Sequence, residues 1–160
     1  MDGVVTMLQQ YKRILVAVDG SDESEAAFRK AVHVANRNQS SLFLLHVIDT
    51  MSFQSVSGYE GLITENVTDQ VKETLEEYKK YAELQGVEEF QYLIEYDSPK
   101  ILIAKDVPKE YQVDLIMLGA TGLNAVERLF VGSVSRYVIQ NASCDVLVVR
   151  TDLENQPIQF

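Results

Sequence analysis

The sequence predicts an α/β fold: a doubly wound, Rossmann-like sheet of five parallel strands in the order 3-2-1-4-5. Two observations predict it. Short apolar runs alternate with amphipathic helical segments along the whole chain, and most of the runs are apolar without interruption, as in strands buried on both faces. With 160 residues, 46% of them hydrophobic, the chain is long enough for a sizeable core. We expect a single domain over residues 1–160, with its core at about residues 11–150.

A βαβ unit opens the chain. The apolar run Ile14–Val18 predicts strand one, because it ends in a polar turn that contains glycine. Asp22–Asn38 predicts helix one from its apolar stripe, and Asp22 with Glu25 resembles a capping box. The apolar run Leu42–Ile48 predicts strand two, so a right-handed crossover is expected between the two strands.

The middle of the chain predicts a loop, a long helix and an edge strand. Thr50–Gly61 is rich in serine and glycine, which is typical of a loop. Apolar residues then recur at spacings of three and four from Ile63 to Ala82, and Gly86 is expected to follow the helix end. Phe90–Tyr96 alternates in polarity, which predicts strand three at an edge of the sheet.

A third helix is expected to begin at Ser98, which resembles an N-cap followed by Pro99 at the first helical position. Because Pro108 cannot donate a backbone hydrogen bond, we expect a kink or break near Val107. Asp114–Leu118 predicts strand four.

The last third of the chain predicts one more helix and one more strand. Ser133–Asn141 is expected to be helix four, and the apolar run Val146–Val149 is expected to be strand five. Thr151–Phe160 shows little periodicity, so we expect a loosely held tail.

Composition and charge exclude several classes of protein. The net charge of −10 repels polyanions, so binding to nucleic acid is not expected. Cys144 is the single cysteine, which excludes an intramolecular disulfide and favours the cytoplasm. Neither a secretion signal nor an apolar run of membrane-spanning length is present, so no membrane partner is expected. His33 and His46 are expected to be structural, and no metal-binding or catalytic residues are predicted.

Glycines and serines near two predicted element ends suggest an anion site. Gly119 and Gly122 follow strand four, where a missing Cβ allows positive φ and close approach of a ligand. Gly132 opens helix four, whose first amides favour an anion, and Ser133 and Ser135 add hydroxyl donors. In the predicted strand order, the crevice for a ligand lies between strands one and four. Neither a P-loop nor a dinucleotide fingerprint is present, so a nucleotide would be held by other means.

The chain resembles the universal stress protein family over nearly its whole length. The resemblance lies in the opening strand Ile14–Ser21, in His46–Asp49 and in Val146–Arg150. Its most specific part is the spacing G-x2-G-x9-G-[ST], which marks the ATP-binding branch of that family. The chain matches this spacing at Gly119, Gly122, Gly132 and Ser133.

The resemblance implies an ATP-binding regulator of the stress response that forms a homodimer through the strand Val146–Val149. Any Mg²⁺ or Mn²⁺ that accompanies the ATP is expected to be held by its phosphates. By the same resemblance, Asp19 and the backbone near Ala17 and Val18 contact the nucleoside, and Val47 contacts the adenine. A second group lines the ribose and phosphates, and a third cradles the phosphate tail. The second group, at the ribose and phosphates, comprises Leu118, Gly119, Thr121 and Gly122. The third group, at the phosphate tail, comprises Gly132, Ser133, Val134 and Ser135.

Two other functions stay open from the residues alone. The same pocket could serve a slow ATPase or phosphotransferase, for which Arg128 is the nearby cation in the connecting segment. Alternatively, the glycines serve only turns, and the chain is a dimeric interaction module that binds no nucleotide. Copurifying nucleotide, and ADP that accumulates over hours, would distinguish these functions.

Overall fold

Five parallel strands form one sheet in the computed structural model, which describes residues 8–50, 60–121 and 131–158, with backbone alone for 60–64. The strand order is β3-β2-β1-β4-β5, and every neighbouring pair is parallel. This order confirms the predicted fold class. The strands are β1 (Arg13–Val18), β2 (Ser41–Ile48), β3 (Phe90–Tyr96), β4 (Leu115–Gly119) and β5 (Asp145–Val149).

The chain reverses direction across the sheet between β1 and β4. From β1 it continues to β2 and β3 on one side, and from β4 to β5 on the other. The two strands pair from Ile14 with Leu115 to Val16 with Met117, so their carboxyl ends lie side by side. Such a switch point leaves a crevice beyond the strand ends, because the flanking connections diverge there.

The sheet separates two hydrophobic cores. The first core lies on the face covered by helices α1 (Asp22–Asn38) and α2 (Glu60–Leu84) and contains the side chains of Ile14, Val16 and Val18. The second core lies on the opposite face and contains Leu15. Successive side chains of β1 therefore enter opposite cores, which explains why the strand is apolar at every position from Ile14 to Val18.

Helix α1 has the predicted bounds, Asp22–Asn38, but its N-cap lies one residue before the predicted capping box. Its N-cap is Ser21, whose hydroxyl accepts a hydrogen bond of 3.2 Å from the Ser24 N–H. The predicted capping box of Asp22 and Glu25 is therefore wrong, because both residues are already inside the first turn. The helix ends at Gln39, which adopts the left-handed conformation and donates to the Asn36 carbonyl.

Helix α2 packs across the first core and ends as predicted. Its Tyr78 ring stacks on Phe28 of α1 at a centroid distance of 4.5 Å. Gly86 follows the helix with a φ of +102°, a conformation that glycine adopts without strain. The predicted loop Thr50–Gly61 falls mostly outside the described residues, and its last two positions, 60 and 61, belong to the helix instead.

The third helical segment stays continuous where a kink or break was expected. It consists of α3 (Pro99–Ile101), a π-helical turn (Leu102–Asp106) and α4 (Val107–Tyr111). The N–H of Val107 donates to the Leu102 carbonyl five residues back. This wider turn accommodates the ring of Pro108, which would crowd the preceding turn of a regular α-helix.

Helix α5 (Ser133–Asn141) covers the second core together with the π-helical turn. Its bounds match the sequence prediction. Among the helices of the described residues, none has both the length and the apolar character to cross a lipid bilayer.

Residues 151–158 of the tail after β5 form specific hydrogen bonds, contrary to the expectation of a loosely held segment. Thr151 forms an antiparallel bridge with Pro157, and the Asp152 carboxylate accepts the N–H of Gln156 at 2.9 Å. The Lys30 ammonium of α1 donates to the Thr151 hydroxyl at 2.6 Å and to the Asn155 side chain at 3.1 Å. These bonds fasten the tail to α1.

Candidate functional site

The crevice beyond β1 and β4 has its apolar side chains on the face of the second core. Ala17 and Val47 are partly exposed and pack against that core, to which buried Leu118 also belongs. Val18 points into the first core instead and is 5% exposed. The structure therefore brings Ala17, Val47 and Leu118 onto one face, whereas Val18 offers the crevice its backbone only.

Asp19 organises the turn between β1 and α1. Its Oδ1 accepts hydrogen bonds from the Ser21 N–H at 3.0 Å and from the Ser21 hydroxyl at 2.6 Å. Its own N–H donates to the Ser24 hydroxyl at 3.2 Å. Asp19 is exposed at the carboxyl end of β1, so the carboxylate that holds the turn also borders the crevice.

Gly119 lies in close contact with α1. An added Cβ would lie 3.0 Å from the backbone carbon of Glu23 and 3.1 Å from its carbonyl oxygen. The φ of Gly119 is not positive, since the described glycines with positive φ are Gly20 and Gly86. The sequence prediction that Gly119 adopts a positive φ is thus wrong. The close approach of α1 is an additional reason for a residue without a Cβ at this position.

Glu23 forms a buried contact beside the candidate site that sequence reasoning missed. Its side chain is 6% exposed, and its Oε2 accepts the N–H of Thr121 at 2.7 Å and also the Thr121 hydroxyl. The only sequence signal was an acidic residue in the first turn of a helix, which is common at any helix N-terminus. Nothing in that signal identifies a partner at position 121.

The segment that leads out of β4 is held from both neighbouring helices. Thr121 is 7% exposed and turns its hydroxyl to Glu23, so that hydroxyl does not face the crevice. On the other side, Ser135 of α5 donates from its hydroxyl to the Gly119 carbonyl at 2.8 Å. A hydroxyl has one proton to donate, so the predicted use of the Ser135 hydroxyl at a phosphate is replaced by this structural bond. Gly122 and Arg128 lie outside the described residues.

The start of α5 lies at the end of β4. The N–H of Gly132 donates to the Ala120 carbonyl at 2.7 Å, and Gly132 is the N-cap, without a side-chain cap bond. The first amides of a helix, here those of Ser133, Val134 and Ser135, have no acceptor within the helix. Ser133 is exposed and Val134 is partly exposed, so these donors lie near the surface beside the crevice. Such a helix end favours an anion.

A groove of about 190 Å³ lies on the opposite face of the sheet, between β1, β2 and α2. Its polar wall includes His46 and Thr74, and its apolar wall includes Val71 and Tyr78. Burial lowers the pKa of His46, and the negative charge of Asp19 partly opposes this shift. His46 therefore favours the neutral form at neutral pH.

The chain matches the model described as "Universal stress protein family" over residues 10–150. A protein of Staphylococcus aureus (strain USA300) with a provisional universal-stress-protein name is 47% identical over 150 residues, which cover 94% of this chain and 89% of that protein. The structure of universal stress protein UspA from Lactobacillus plantarum has a TM-score of 0.80 at 33% identity and covers 89% of this chain and 100% of that one.

A more distant solved structure is the universal stress protein from Archaeoglobus fulgidus in complex with dAMP. It has a TM-score of 0.61 at 23% identity, with 88% of this chain and 99% of that chain covered. At this identity the similarity establishes the shared fold.

Proposed function

Since the chain belongs to the universal stress protein family, we propose that it binds ATP and acts as a nucleotide-dependent regulator in the cellular stress response. The proposed site is the crevice beyond the carboxyl ends of β1 and β4. One observation carries the proposal. The hydrogen bond of 2.7 Å from Gly132 to Ala120 holds the start of α5, whose first amides have no acceptor within the helix, at the end of β4.

The phosphate end of the proposed site relies on backbone donors. The amides of Ser133, Val134 and Ser135 and the exposed hydroxyl of Ser133 would donate to phosphate oxygens. Gly132 carries no Cβ that could fill the approach to them. With a net charge of −10, the protein as a whole repels an anion, so affinity has to come from these short-range hydrogen bonds.

The nucleoside end of the proposed site uses the three apolar side chains on the second-core face. Ala17, Val47 and Leu118 supply a surface for the adenine, and the exposed carboxylate of Asp19 would accept from a ribose hydroxyl. The dAMP complex of the Archaeoglobus fulgidus protein is a precedent for an adenine nucleotide on this fold.

A divalent cation would arrive with the nucleotide. In residues 8–50, 60–121 and 131–158, no group of three His, Cys, Asp or Glu side chains is placed to hold a metal ion. We therefore propose that Mg²⁺ or Mn²⁺ is bound through the phosphates, which are the ligands that Mg²⁺ commonly uses beside one or two carboxylates.

Isothermal titration with ATP and Mg²⁺ tests the proposal, with Gly132→Val as the decisive variant. A branched side chain at the N-cap would occupy the space of the phosphate, so we expect binding to be lost. Gln140→Val is the matched control, because it adds the same side chain at an exposed position near the other end of α5. Wild-type protein that gives no heat at millimolar ATP would contradict the proposal. ADP that forms in the same samples over hours would reassign the site to a slow ATPase.

We also propose that the protein is a cytoplasmic homodimer joined through β5. Strand β5 is at the edge of the sheet, where its outer backbone groups have no partner strand within the described residues. Its Leu147 side chain is 42% exposed. A second copy that pairs the same strand antiparallel would satisfy both edges about a two-fold axis.

A further inference from the structure

A buried carboxylate joins the first turn of α1 to the end of β4. The side chain of Glu23 is 6% exposed, and both hydrogen-bond donors of Thr121 point at its Oε2. The two residues are 98 positions apart in the chain. A buried carboxylate needs such partners, since an uncompensated one would be strongly destabilising.

The contact depends on an unusually close approach of helix and strand. The backbone of Glu23 lies so near to Gly119 that an added Cβ there would be 3.0 Å from the Glu23 carbonyl carbon. Glu23 is also in the first turn of α1, where the helix dipole favours a negative charge. The carboxylate is therefore held firmly in position from its own side.

Thr121 is the last described residue before the connection from β4 to α5. Glu23 holds it from α1, and Ser135 holds Gly119 from α5 through a hydrogen bond of 2.8 Å. Met117 belongs to the first core, and Gly119, two residues later in the same strand, faces the same side of the sheet. A Cβ on Gly119 would point at Glu23, so Glu23 lies on the first-core side. Ala17 and Val47, which carry the proposed adenine surface, pack on the opposite side.

We propose that Glu23 is a positioning residue for the phosphate end of the site. By holding Thr121, it fixes the neighbouring Ala120, whose carbonyl accepts the Gly132 N–H, and so the place at which α5 begins beside the crevice. The inference rests on the proposed function. It predicts an effect on ligands that carry phosphates, while a nucleoside without phosphates is bound by residues that Glu23 does not hold.

Calorimetric titration of Glu23→Ala with ATP and with adenosine tests this role. We expect the Kd for ATP to rise about tenfold or more, the effect of losing a hydrogen bond to a charged group. The Kd for adenosine should stay within about twofold, a change of less than half a kcal/mol. Glu23→Gln removes the charge but keeps an acceptor oxygen for Thr121, so it should recover most of the ATP affinity. If the missing charge alone caused the loss in Glu23→Ala, Glu23→Gln would show the same loss.

Asp22→Ala is the matched control, since it removes the same charge from the neighbouring, exposed position of the same turn. Its ATP affinity should equal that of the wild type. If Glu23→Ala does not fold, Thr121→Val removes one of the two hydrogen bonds and should still weaken ATP more than adenosine.

The outcomes separate this inference from the proposed function. Wild-type protein that binds ATP, together with a Glu23→Ala variant that binds it equally well, overturns the inference alone. Equal losses for ATP and adenosine also overturn it, because they would reflect general destabilisation. Wild-type protein that binds no ATP overturns the proposed function and the inference together.

Discussion

At the scale of single residues, positions 119 to 121 combine packing with a place in the proposed site. Gly119 matches a ligand-binding spacing, yet the atoms that a Cβ would meet belong to Glu23. Ser135 matches a phosphate-binding helix start, yet its hydroxyl bonds to the Gly119 carbonyl. The observed contacts of both residues are therefore packing and hydrogen bonding within the protein.

Gly119→Ala should destabilise the fold. The added methyl group would press on backbone atoms of Glu23 at 3.0 and 3.1 Å, and such overpacking typically costs about 1–3 kcal/mol. Urea denaturation followed by circular dichroism measures the loss. Because the closest atoms belong to the Glu23 backbone, adding Glu23→Ala should not restore stability. An alanine variant as stable as the wild type would show that α1 can move away without cost.

At the scale of secondary-structure elements, the sequence predicted strands and helices well and their ends less well. Periodicity reflects burial of a whole face, so β3 and α5 match their predicted bounds. An N-cap depends on one hydroxyl that reaches one amide. Ser98 is the N-cap of α3, as predicted, but forms no side-chain cap bond, whereas the hydroxyl of Ser21 caps α1.

Ser21→Ala and Ser98→Ala should therefore differ in stability. Ser21 accepts the Ser24 N–H and donates to Asp19, so its loss should lower the free energy of unfolding by about 1 kcal/mol. Ser98 makes no cap bond through its side chain, and its replacement should stay within about 0.5 kcal/mol of the wild type. Thermal and urea unfolding of both variants provide the comparison. Equal losses would contradict the assignment of the α1 cap.

The candidate site was predictable in part for a physical reason. Carboxyl ends of parallel strands meet at one edge of a sheet, so Asp19 and Gly119 could be placed near each other once the strand order was predicted. Glu23 could not be found in this way, because its role depends on how closely α1 approaches β4. The π-helical turn at Leu102–Asp106 was also unpredictable in type, since Pro108 indicates an irregularity without specifying its form.

At the scale of the whole molecule, the edge strand β5 is the proposed contact between two copies of the protein. Leu147→Lys places a charge on the exposed side of β5 and should dissociate the proposed dimer. Leu147 is a better position than Val148, which packs against the second core and whose replacement would disturb the fold. Light scattering at micromolar concentration gives the mass of each variant.

Leu84→Lys is the control for the dimer prediction. Leu84 is 84% exposed at the end of α2, so the same change there adds charge away from β5. It should leave the mass of the wild-type dimer unchanged. A wild type that is monomeric at this concentration, or a Leu147→Lys variant that stays dimeric, would contradict association through β5.

The bonds from Lys30 to the tail have a consequence for the order of folding. Lys30 and Thr151 are 121 residues apart, and closing so long a loop carries an entropic cost that a few hydrogen bonds do not offset. They can form only after the sheet has brought β5 beside α1, where the tail then finds its partners. We therefore expect the tail to form late in folding and to be released early in unfolding. Its release need not expose either core, so this part of the chain can open while the sheet remains intact.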